Sequence, residues 1–553
     1  MVSPPMTDDL RWAAAAAASH SVLIPEAAPA PVPPLGVLSP FLRHARERPD
    51  APYLDYVSHG RDVPARSESF SRREYAAAVR GAVDLLVGHG VGRGDGVGLL
   101  MRSSPEAFAL YLGALAIGAR VVPLDVQATA DELAYPVRMV APRVLLVRPD
   151  QAVLADAVAL SADCAPAVVA VPVGAARAWA DASAPLAEAD VVGVDLDEVA
   201  VIVFTSGTTT ARPKGVMLTR RNLVQGPQGF ADALGVVPED RVLVVTPMHH
   251  VNALQFGMGS TLTHGASLCL VDRFSAQAFW PTVLELRPTV LWTMGGILSI
   301  LLSREESAAE LEARGLLRAV FAAAVGSAYE EVRRRVAPIV MDCYGLSEFS
   351  GGTWTLPGRN GADDSVAQSV GLPLPHLTLA VVDAAGRPVP RGATGEVVAV
   401  PHGGNVMAGY LGEPELNEAV FRDGLLWSGD LAFVGPSDGQ LHFVGRSKDM
   451  IRRGGVNISA MEVENVLLGH PAVVDCAVVP GTDDVLGEIV VAFVCLAETE
   501  SGPRPGTEEL RAHCRSVLSE HKVPARIEVF KALPRTATGK VIKRVLLARA
   551  ARK

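Results

Sequence analysis

The stretch TSGTTTARPKG (Thr205–Gly215) follows the apolar run VAVIVF and combines hydroxyls, glycines and one lysine in a short loop. A strand that ends in such a loop can offer backbone N–H groups, hydroxyl donors and one ammonium to an anion. The Walker phosphate loop is excluded, because Lys214 precedes a glycine and is not followed by Ser or Thr. Taken alone, the stretch fits a plain turn as well as a phosphate-binding loop.

Short Val/Ile/Leu-rich runs recur on both sides of this loop and alternate with helical patterns. Apolar runs of this length, separated by helices, are typical of buried parallel strands. The sequence therefore predicts an α/β fold, in which a large N-terminal domain has mixed or parallel sheets sandwiched by helices. The runs are GVGLLM, RVVPLD, RVLLVRP, RVLVVTP, SLCLVD, TVLWTM and LRAVFAAAV.

The chain changes character after about residue 375. There LTLAVVDAAGRPVPRGATGEVVAV predicts a β-rich subdomain with turns at Ala385–Gly386 and Thr394–Gly395. Beyond Gly445 the patterns predict a small α+β domain, with a helix that begins at Ser459, the strands AVVDCAVV and EIVVAFVCLA, and a helix through EELRAHCRSVLSEH. We expect domains at 35–447 and 448–553, after a disordered Pro/Ala-rich tail over 1–34.

Composition argues against several classes of protein. At 553 residues the chain is too long for one ordinary core, and its net charge of -10 argues against a general nucleic-acid partner. The six cysteines are scattered without a CxxC pair, which predicts free thiols and a cytoplasmic protein. The N-terminal alanine run follows Asp8 and Asp9 rather than a basic segment, so no signal peptide is predicted. No apolar stretch reaches the about 20 residues that a membrane span needs.

Four further motifs follow the first in order. Together with the loop at Thr205–Gly215 they resemble the superfamily of adenylate-forming enzymes, which includes acyl-CoA synthetases, luciferases and the adenylation domains of nonribosomal peptide synthetases. The likeness is greatest to acyl- and aryl-CoA ligases. It implies ATP and Mg²⁺ as cofactors, an acyl-adenylate intermediate, and AMP and pyrophosphate as products. The motifs are MDCYGLSE (341–348), WSGDLAFV (427–434), GRSKDMIRRGG (445–455) and LPRTATGKVIKR (533–544).

The resemblance implies a set of residues around the phosphates. Attack of a carboxylate on the α-phosphate requires charge to be neutralised on three phosphates at once. Magnesium prefers oxygen ligands and phosphates, which suits one carboxylate. The phosphate loop carries Thr210 and Ala211 where the family has a glycine and one residue fewer, so we expect it to close differently. The implied set is Lys214, Thr205, Ser206, Gly207, Thr208 and Thr209 at the β- and γ-phosphates, Ser347 at phosphate and Glu348 at magnesium.

The same resemblance implies a nucleoside site. A carboxylate can accept two O–H donors, which suits Asp430 for both ribose hydroxyls. Arg446 would lie nearby, on ribose or phosphate. The remaining implied contacts are Gly326, Ser327 and Ala328 along adenine, Asp342 at the adenine amino group, and Tyr344, followed by Gly345, with its ring on adenine.

Lys540, in TATGK, is implied as the cation at the junction of carboxylate and α-phosphate, where it would stabilise the transition state. In the superfamily this lysine lies on a small mobile domain, which rotates between the two half-reactions about a hinge at the position of Lys448. Rotation would bring Gly454 and Gly455 toward the thiol tunnel. Lys448 is also compatible with an ordinary surface lysine, since a hinge needs no particular side chain.

The acyl pocket is the least legible part of the sequence. TPMHHVNALQFGMG resembles the segment that closes one side of this pocket, with His250 at the family's histidine position and counted with the catalytic residues. His249, Asn252, Phe256 and Gly351 are expected to line it. No aspartate is present in this segment to pair with an amino acid's ammonium, which favours an acid with a neutral tail. We expect an aryl or medium-chain acid of secondary metabolism. Gly295–Gly296 replaces a proline-containing turn and would make room for a bulky acid.

The acyl acceptor is left open between two thiols. CoA is favoured, with Arg452 and Arg453 as weak support, and the phosphopantetheine arm of an acyl or peptidyl carrier protein is the rival. The motifs are also compatible with transfer to an amine, with activation of a small inorganic acid, and with a non-catalytic nucleotide or acyl sensor. The sensor has little need of Lys540 at a reacting centre.

Overall fold

The computed structural model describes most of the chain and has the predicted mixture of helices and sheets. Its large N-terminal part and smaller C-terminal part agree with the predicted fold class. The residues described are 21–25, 28–59, 66–162, 164, 166–193, 195–205, 212–323, 325, 328–355, 369–454, 456–483, 485–497, 505–535 and 541–551.

Among these residues, one sheet has seven strands and carries the loop at Thr205–Gly215. Its inner strands are parallel, as their unbroken Val/Leu runs predict, and the strand Val199–Thr205 pairs antiparallel with Lys214–Thr219. In spatial order the strands are Gly409–Tyr410, Lys214–Thr219, Val199–Thr205, Arg120–Pro123, Gly96–Leu100, Val144–Val147 and Ala167–Ala170.

A second sheet has fifteen described strands and contains the remaining described strands of the large part. Its centre is parallel, and alternate residues of one strand face two different cores, as for Trp292 and Leu291. In order the strands are Val22–Leu23, Leu379–Val382, Gly395–Ala399, Leu425–Val434, Leu441–Arg446, Ser369–Pro373, Gly351–Trp354, Ile339–Leu346, Ala319–Ala323, Val290–Met294, Arg241–Val244, Ser267–Val271, Pro52–Val57 and Ser67–Ser71, with Phe421–Arg422 beside Leu425–Val434.

Helices cover the sheets of the large part. Several begin where a hydroxyl side chain accepts a backbone N–H, as Ser71, Ser104 and Thr129 do. No helix in the described part of the chain is long and apolar enough to cross a bilayer. The α-helices are Leu38–Glu47, Arg72–Gly88, Pro105–Ala116, Ala130–Val140, Ala152–Ser161, Ala175–Ala182, Asn222–Leu234, Gly259–His264, Phe279–Leu286, Gly295–Leu302, Ala308–Ala313, Tyr329–Arg335 and Pro414–Val420.

The C-terminal part has its own sheet and core. Ser459 begins the predicted helix, where its hydroxyl accepts the N–H of Glu462. The last predicted helix of this part ends at Val517 instead of running to His521. The described strands are Val456–Ser459, Met450–Arg453, Gly487–Leu496, Val473–Asp483 and Arg526–Phe530, and the helices are Ala460–Leu468, Thr507–Val517 and Lys543–Ala550.

Two further local predictions differ from the structure. The predicted disordered tail includes the strand Val22–Leu23, because these apolar residues are buried against Leu379 and Ala380. The turn predicted at Thr394–Gly395 lies at Arg391–Gly392, where Gly392 has a φ of 85°. Gly395 instead starts a strand, and a Cβ there would lie 2.4 Å from the carbonyl oxygen of Val382. Close backbone approach, and not a turn, explains this glycine.

Candidate active site

The phosphate-loop motif lies at the end of a strand, as predicted. Thr205 ends one strand and pairs with Lys214, which begins the next, so the two ends of the loop are neighbours. The Lys214 ammonium lies 5.1 Å from the centre of the Tyr410 ring. Residues 206–211, which include the predicted contacts Ser206, Gly207, Thr208 and Thr209, lie outside the described residues.

Glu348 lies near the strand that begins at Lys214. It belongs to the 3₁₀ turn Ser347–Phe349, directly after the strand Ile339–Leu346, and its side chain is half-buried. The Tyr410 hydroxyl donates a hydrogen bond to its Oε1, at 2.7 Å. Burial, and then the charge of Glu348, raises the pKa of Tyr410, so this hydroxyl stays protonated and remains a donor. Tyr410 thus contacts both Lys214 and Glu348.

The donor set around Glu348 fits magnesium bound mainly by a substrate. In the described part of the chain, no group of three or more His, Cys, Asp or Glu side chains could enclose a metal ion. Mg²⁺ is commonly held by one or two carboxylates and the phosphates of its nucleotide. Glu348 is therefore a suitable single protein ligand when a triphosphate supplies the other oxygens.

The predicted ribose and adenine residues come together in a second cluster. Asp430 and Arg446 pair across two antiparallel strands, and the Arg446 Nε lies 3.3 Å from the Asp430 Oδ1. The Tyr344 hydroxyl donates to the Asp430 Oδ2 at 2.9 Å. Burial and the Asp430 charge raise the pKa of Tyr344, which keeps this donor protonated. Three residues from three motifs therefore form one bonded group.

The ring of Tyr344 is held by its surroundings. It stacks on Phe443 with ring centres 5.4 Å apart. The next residue, Gly345, lies against the strand Gly351–Trp354, and a Cβ at Gly345 would be 2.7 Å from the Gly351 carbonyl oxygen. This glycine is required by a close backbone approach.

Asp342 holds the adenine-side loop by its backbone. Its carboxylate oxygens accept the N–H groups of Val325 and Cys343 at 3.0 and 2.7 Å. Ala328 begins the next turn through a hydrogen bond to the Val325 carbonyl. Gly326 and Ser327 lie outside the described residues. The contact of Asp342 with adenine stays a prediction.

The predicted acyl residues surround the start of a π-helix, Asn252–Met258. The rings of His249 and His250 are 5.0 Å apart. Burial lowers the pKa of His249 although Asp125 lies 3.8 Å away, so this imidazole is neutral near pH 7. The Asn252 Oδ1 accepts from the Thr246 hydroxyl at 3.1 Å.

Four buried rings pack together, one of them from the same π-helix as Asn252. We call Phe230, Phe256, Trp292 and Phe321 the aromatic cluster. Phe230 lies 4.9 Å from both Phe256 and Phe321, and Trp292 stacks on Phe321 at 4.2 Å, measured between ring centres. The sequence singled out only Phe256, because apolar residues in predicted helices and strands give no sign of which will meet.

Gly351 is close to this region, but the local structure itself explains why a glycine occupies this position. Its φ is 143°, and a Cβ would lie 2.8 Å from the Leu374 side chain. His376 lies on the same side, and burial lowers its pKa to about 3. Gly295 and Gly296, predicted to reshape the pocket, begin the helix Gly295–Leu302.

The C-terminal motifs are described only in part. Lys448 lies in the 3₁₀ turn Ser447–Asp449, between strands that belong to different sheets. The N–H of Gly454 donates to the Leu486 carbonyl, and its φ is 55°. Gly455 and Lys540 lie outside the described residues. The catalytic role of Lys540 therefore remains a prediction from the motif.

Comparison with known proteins identifies the family. A model of the AMP-binding enzyme matches residues 41–411, and a model of the AMP-binding enzyme C-terminal domain matches 462–540. The chain is 31% identical to the sulfoacetate–CoA ligase of Cupriavidus necator, over 91% of this chain and 96% of that protein. It is 33% identical to a feruloyl-CoA synthase of Amycolatopsis sp, over 89% and 95%.

Solved structures agree with this assignment. ATP-bound MatB from Rhodopseudomonas palustris superposes with a TM-score of 0.79 at 25% identity, over 93% of this chain and 99% of MatB. The anthranilate CoA ligase AuaEII, solved with anthranoyl-AMP, has the same fold at 23% identity, with a TM-score of 0.82 over 93% of this chain and 97% of that one. The protein belongs to the AMP-binding enzyme family and is one of its acid–thiol ligases.

Proposed function

We propose that the protein joins a carboxylic acid to CoA in two half-reactions. A carboxylate oxygen attacks the α-phosphorus of ATP and pyrophosphate leaves. The sulfur of CoA then attacks the acyl carbon, its proton goes to solvent, and AMP leaves. The observation that carries this proposal is the arrangement of two charged groups. Lys214 and Glu348 both contact Tyr410, and Asp430 pairs with Arg446, whose charge also acts on Tyr410.

Each group suits one part of the nucleotide. Lys214, at the base of the phosphate loop with Thr205, supplies positive charge to the terminal phosphates. Bound at Glu348, Mg²⁺ would neutralise phosphate charge. Asp430 accepts the ribose hydroxyls, since each carboxylate oxygen has more than one lone pair and can keep its present partner. Lys540 would approach the reacting carboxylate from the C-terminal domain, which we expect to turn about Lys448.

CoA is the acceptor that we favour over a carrier protein. Support comes from relatives that are named as CoA ligases and that align with about nine-tenths of the chain. Arg452 is exposed and could meet the phosphates of CoA, whereas Arg453 already donates to the His521 carbonyl. The free cysteines are compatible with a reducing cytoplasm.

The aromatic cluster bears on the size of the acid. Relatives named for sulfoacetate and for feruloyl-CoA differ in the size of their acid, so the names alone do not indicate which size of acid this protein accepts. Phe256 is 7% exposed, and the other three rings of the cluster are at most 1% exposed. We propose that this cluster ends the acyl pocket and favours a shorter acid than the aryl or medium-chain acid that the sequence predicted. Asn252 is half-buried in the same π-helix as Phe256 and would offer its amide to the bound acid.

Replacing Phe256 with alanine is expected to shift the acid preference toward longer chains. The lost ring opens space at the end of the pocket, and each methylene accommodated there changes selectivity by about 10-fold or more. The measurement is acid-dependent ATP–pyrophosphate exchange with acetate, butyrate, hexanoate, benzoate and cinnamate, expressed as the ratio of kcat/KM for long over short acids. This ratio is independent of the amount of folded enzyme.

The matched control is Phe70→Ala, at a phenylalanine that is 2% exposed and packs beside Tyr75. Both substitutions create a cavity and destabilise the fold by about 3–5 kcal/mol. Only Phe256→Ala should change the ratio. An unchanged ratio, or an equal change in both variants, would contradict a pocket that ends at Phe256.

The same exchange assay tests the proposed function. Wild-type protein with ATP and Mg²⁺ is expected to exchange pyrophosphate for at least one acid, and that acid should then yield acyl-CoA when CoA is added. Exchange followed by transfer only to a carrier protein would favour the rival acceptor. ATP binding without exchange for any acid would favour the nucleotide sensor.

A further inference from the structure

Tyr410 contacts Glu348 and Lys214, the two charged residues assigned to magnesium and phosphate binding. Its hydroxyl donates to the Glu348 Oε1 at 2.7 Å, and its ring centre lies 5.1 Å from the Lys214 ammonium. The residue is 5% exposed. An ammonium within about 6 Å of a ring centre is attracted to the ring face. One side chain therefore satisfies two opposite charges by two different interactions.

The backbone fixes the position of this ring. Tyr410 pairs with Val216 in the strand that begins at Lys214. The side chain of Asn417 brackets Tyr410, because its Oδ1 accepts the Tyr410 N–H at 2.7 Å and its Nδ2 donates to the Tyr410 carbonyl at 2.9 Å. With its backbone held on both sides, Tyr410 can aim its ring without adjustment when a ligand arrives.

The segment 407–411 also ties the two motifs together. The Met407 N–H donates to the Glu348 carbonyl at 2.9 Å. The Leu411 N–H donates to the Gly215 carbonyl at 2.8 Å, directly after Lys214. The separation of Lys214 and Glu348 is thus set by a short segment that neither motif contains.

Opposite charges in one half-buried site attract each other, and without a spacer Lys214 and Glu348 would form a direct ion pair. Such a pair would have to be broken before phosphate or metal could bind. In the described part of the chain no ion pair joins the Lys214 ammonium to the Glu348 carboxylate, and each instead contacts the neutral side chain of Tyr410. Glu348 then has Oε1 held by a hydrogen bond, and among the described residues no side chain or N–H donates to its Oε2.

We propose that Tyr410 is a positioning residue, which orients Glu348 toward the metal and keeps Lys214 from pairing with Glu348 before ATP binds. This inference rests on the proposed function, in which Glu348 is the metal ligand and Lys214 binds phosphate. The hydroxyl orients Glu348, and the ring keeps Lys214 from pairing with Glu348. A substitution that removes only the hydroxyl and one that also removes the ring therefore test the two roles separately.

The test is the Mg²⁺ dependence of ATP binding, measured by titration calorimetry on the full-length protein. Tyr410→Phe keeps the ring and is expected to raise the Mg²⁺ concentration for half-maximal ATP binding about tenfold, as for loss of one hydrogen bond to a charged group. At saturating Mg²⁺ its ATP affinity should return to the wild-type value. Tyr410→Leu removes the spacer too, and its ATP affinity should stay about tenfold lower at saturating Mg²⁺.

Tyr75→Phe is the matched control, because Tyr75 is a fully buried tyrosine whose hydroxyl donates one hydrogen bond, to the Pro105 carbonyl. It should leave the Mg²⁺ dependence unchanged. A wild-type Mg²⁺ dependence in Tyr410→Phe, or the same shift in Tyr75→Phe, would overturn the inference. Failure of the proposed function has a different signature, since wild-type protein would then bind ATP without acid-dependent exchange. Wild-type protein that binds no ATP would overturn both.

Discussion

Replacing Lys540 with alanine is expected to lower acid-dependent ATP–pyrophosphate exchange by about 10²–10³-fold, the usual effect of removing one preorganised charge from a transition state. ATP binding should change little, because the motif places this lysine at the reacting carboxylate and not at the triphosphate. The second half-reaction should survive, since a domain that turns about Lys448 would carry Lys540 away before the thiol attacks. The measurements are exchange with ATP, and thioester formation from a supplied acyl-adenylate and CoA.

Lys531→Ala provides the matched control, because Lys531 is an exposed lysine of the same C-terminal domain. Both half-reactions should proceed at the wild-type rate in this variant. Equal loss of exchange and of thioester formation in Lys540→Ala would contradict the assignment of Lys540 to adenylation alone. Wild-type exchange activity in Lys540→Ala would mean that Lys540 has no catalytic role.

Replacing Asp430 with asparagine is expected to weaken ATP binding by about 10²-fold or more. The carboxylate is 2% exposed and lies opposite Arg446. A hydrogen bond to a charged group contributes about 1.5–3 kcal/mol, and two ribose hydroxyls would lose such a partner. The change keeps the side-chain shape, so the effect should appear in the dissociation constant for ATP more than in folding.

A thermodynamic cycle that combines Asp430→Asn with 2′,3′-dideoxy-ATP isolates the contact between Asp430 and the ribose hydroxyls. Wild-type protein should bind this analogue weakly, and Asp430→Asn should lose little further. Asp438→Asn is the control, since Asp438 accepts from His442 at 2.9 Å in the neighbouring turn. If Asp430→Asn weakens ATP and the dideoxy analogue equally, the carboxylate acts on the fold or on Arg446 and not on ribose.

Much of the fold could be predicted because its central strands are buried on both faces. TVLWTM became the strand Val290–Met294 and SLCLVD became Ser267–Val271, since unbroken apolar runs have few other stable positions. The strand Val22–Leu23 could not be predicted in the same way. Its partner, Leu379–Val382, lies far along the chain, and a Pro/Ala-rich setting hides two buried residues.

The candidate site was predictable where a motif carries the chemistry. Tyr344, Asp430 and Arg446 were singled out from three motifs and lie in one bonded cluster. Tyr410 was missed because its role depends on the pairing of Gly409–Tyr410 with the strand after the phosphate loop. A tyrosine after a glycine carries no such information in sequence. The other three rings of the aromatic cluster, Phe230, Trp292 and Phe321, were missed for the same reason, because they meet Phe256 only when helix and sheet pack.

The central claim is that the protein activates a carboxylic acid by adenylation and transfers it to CoA. The most direct test is chromatographic product analysis of the wild-type protein with ATP, Mg²⁺, CoA and single acids of increasing length. We expect AMP and acyl-CoA in equal amounts for short acids, with no ADP, and neither product when the acid is omitted. Formation of ADP in place of AMP, or ATP that is bound but unchanged with every acid, would contradict it.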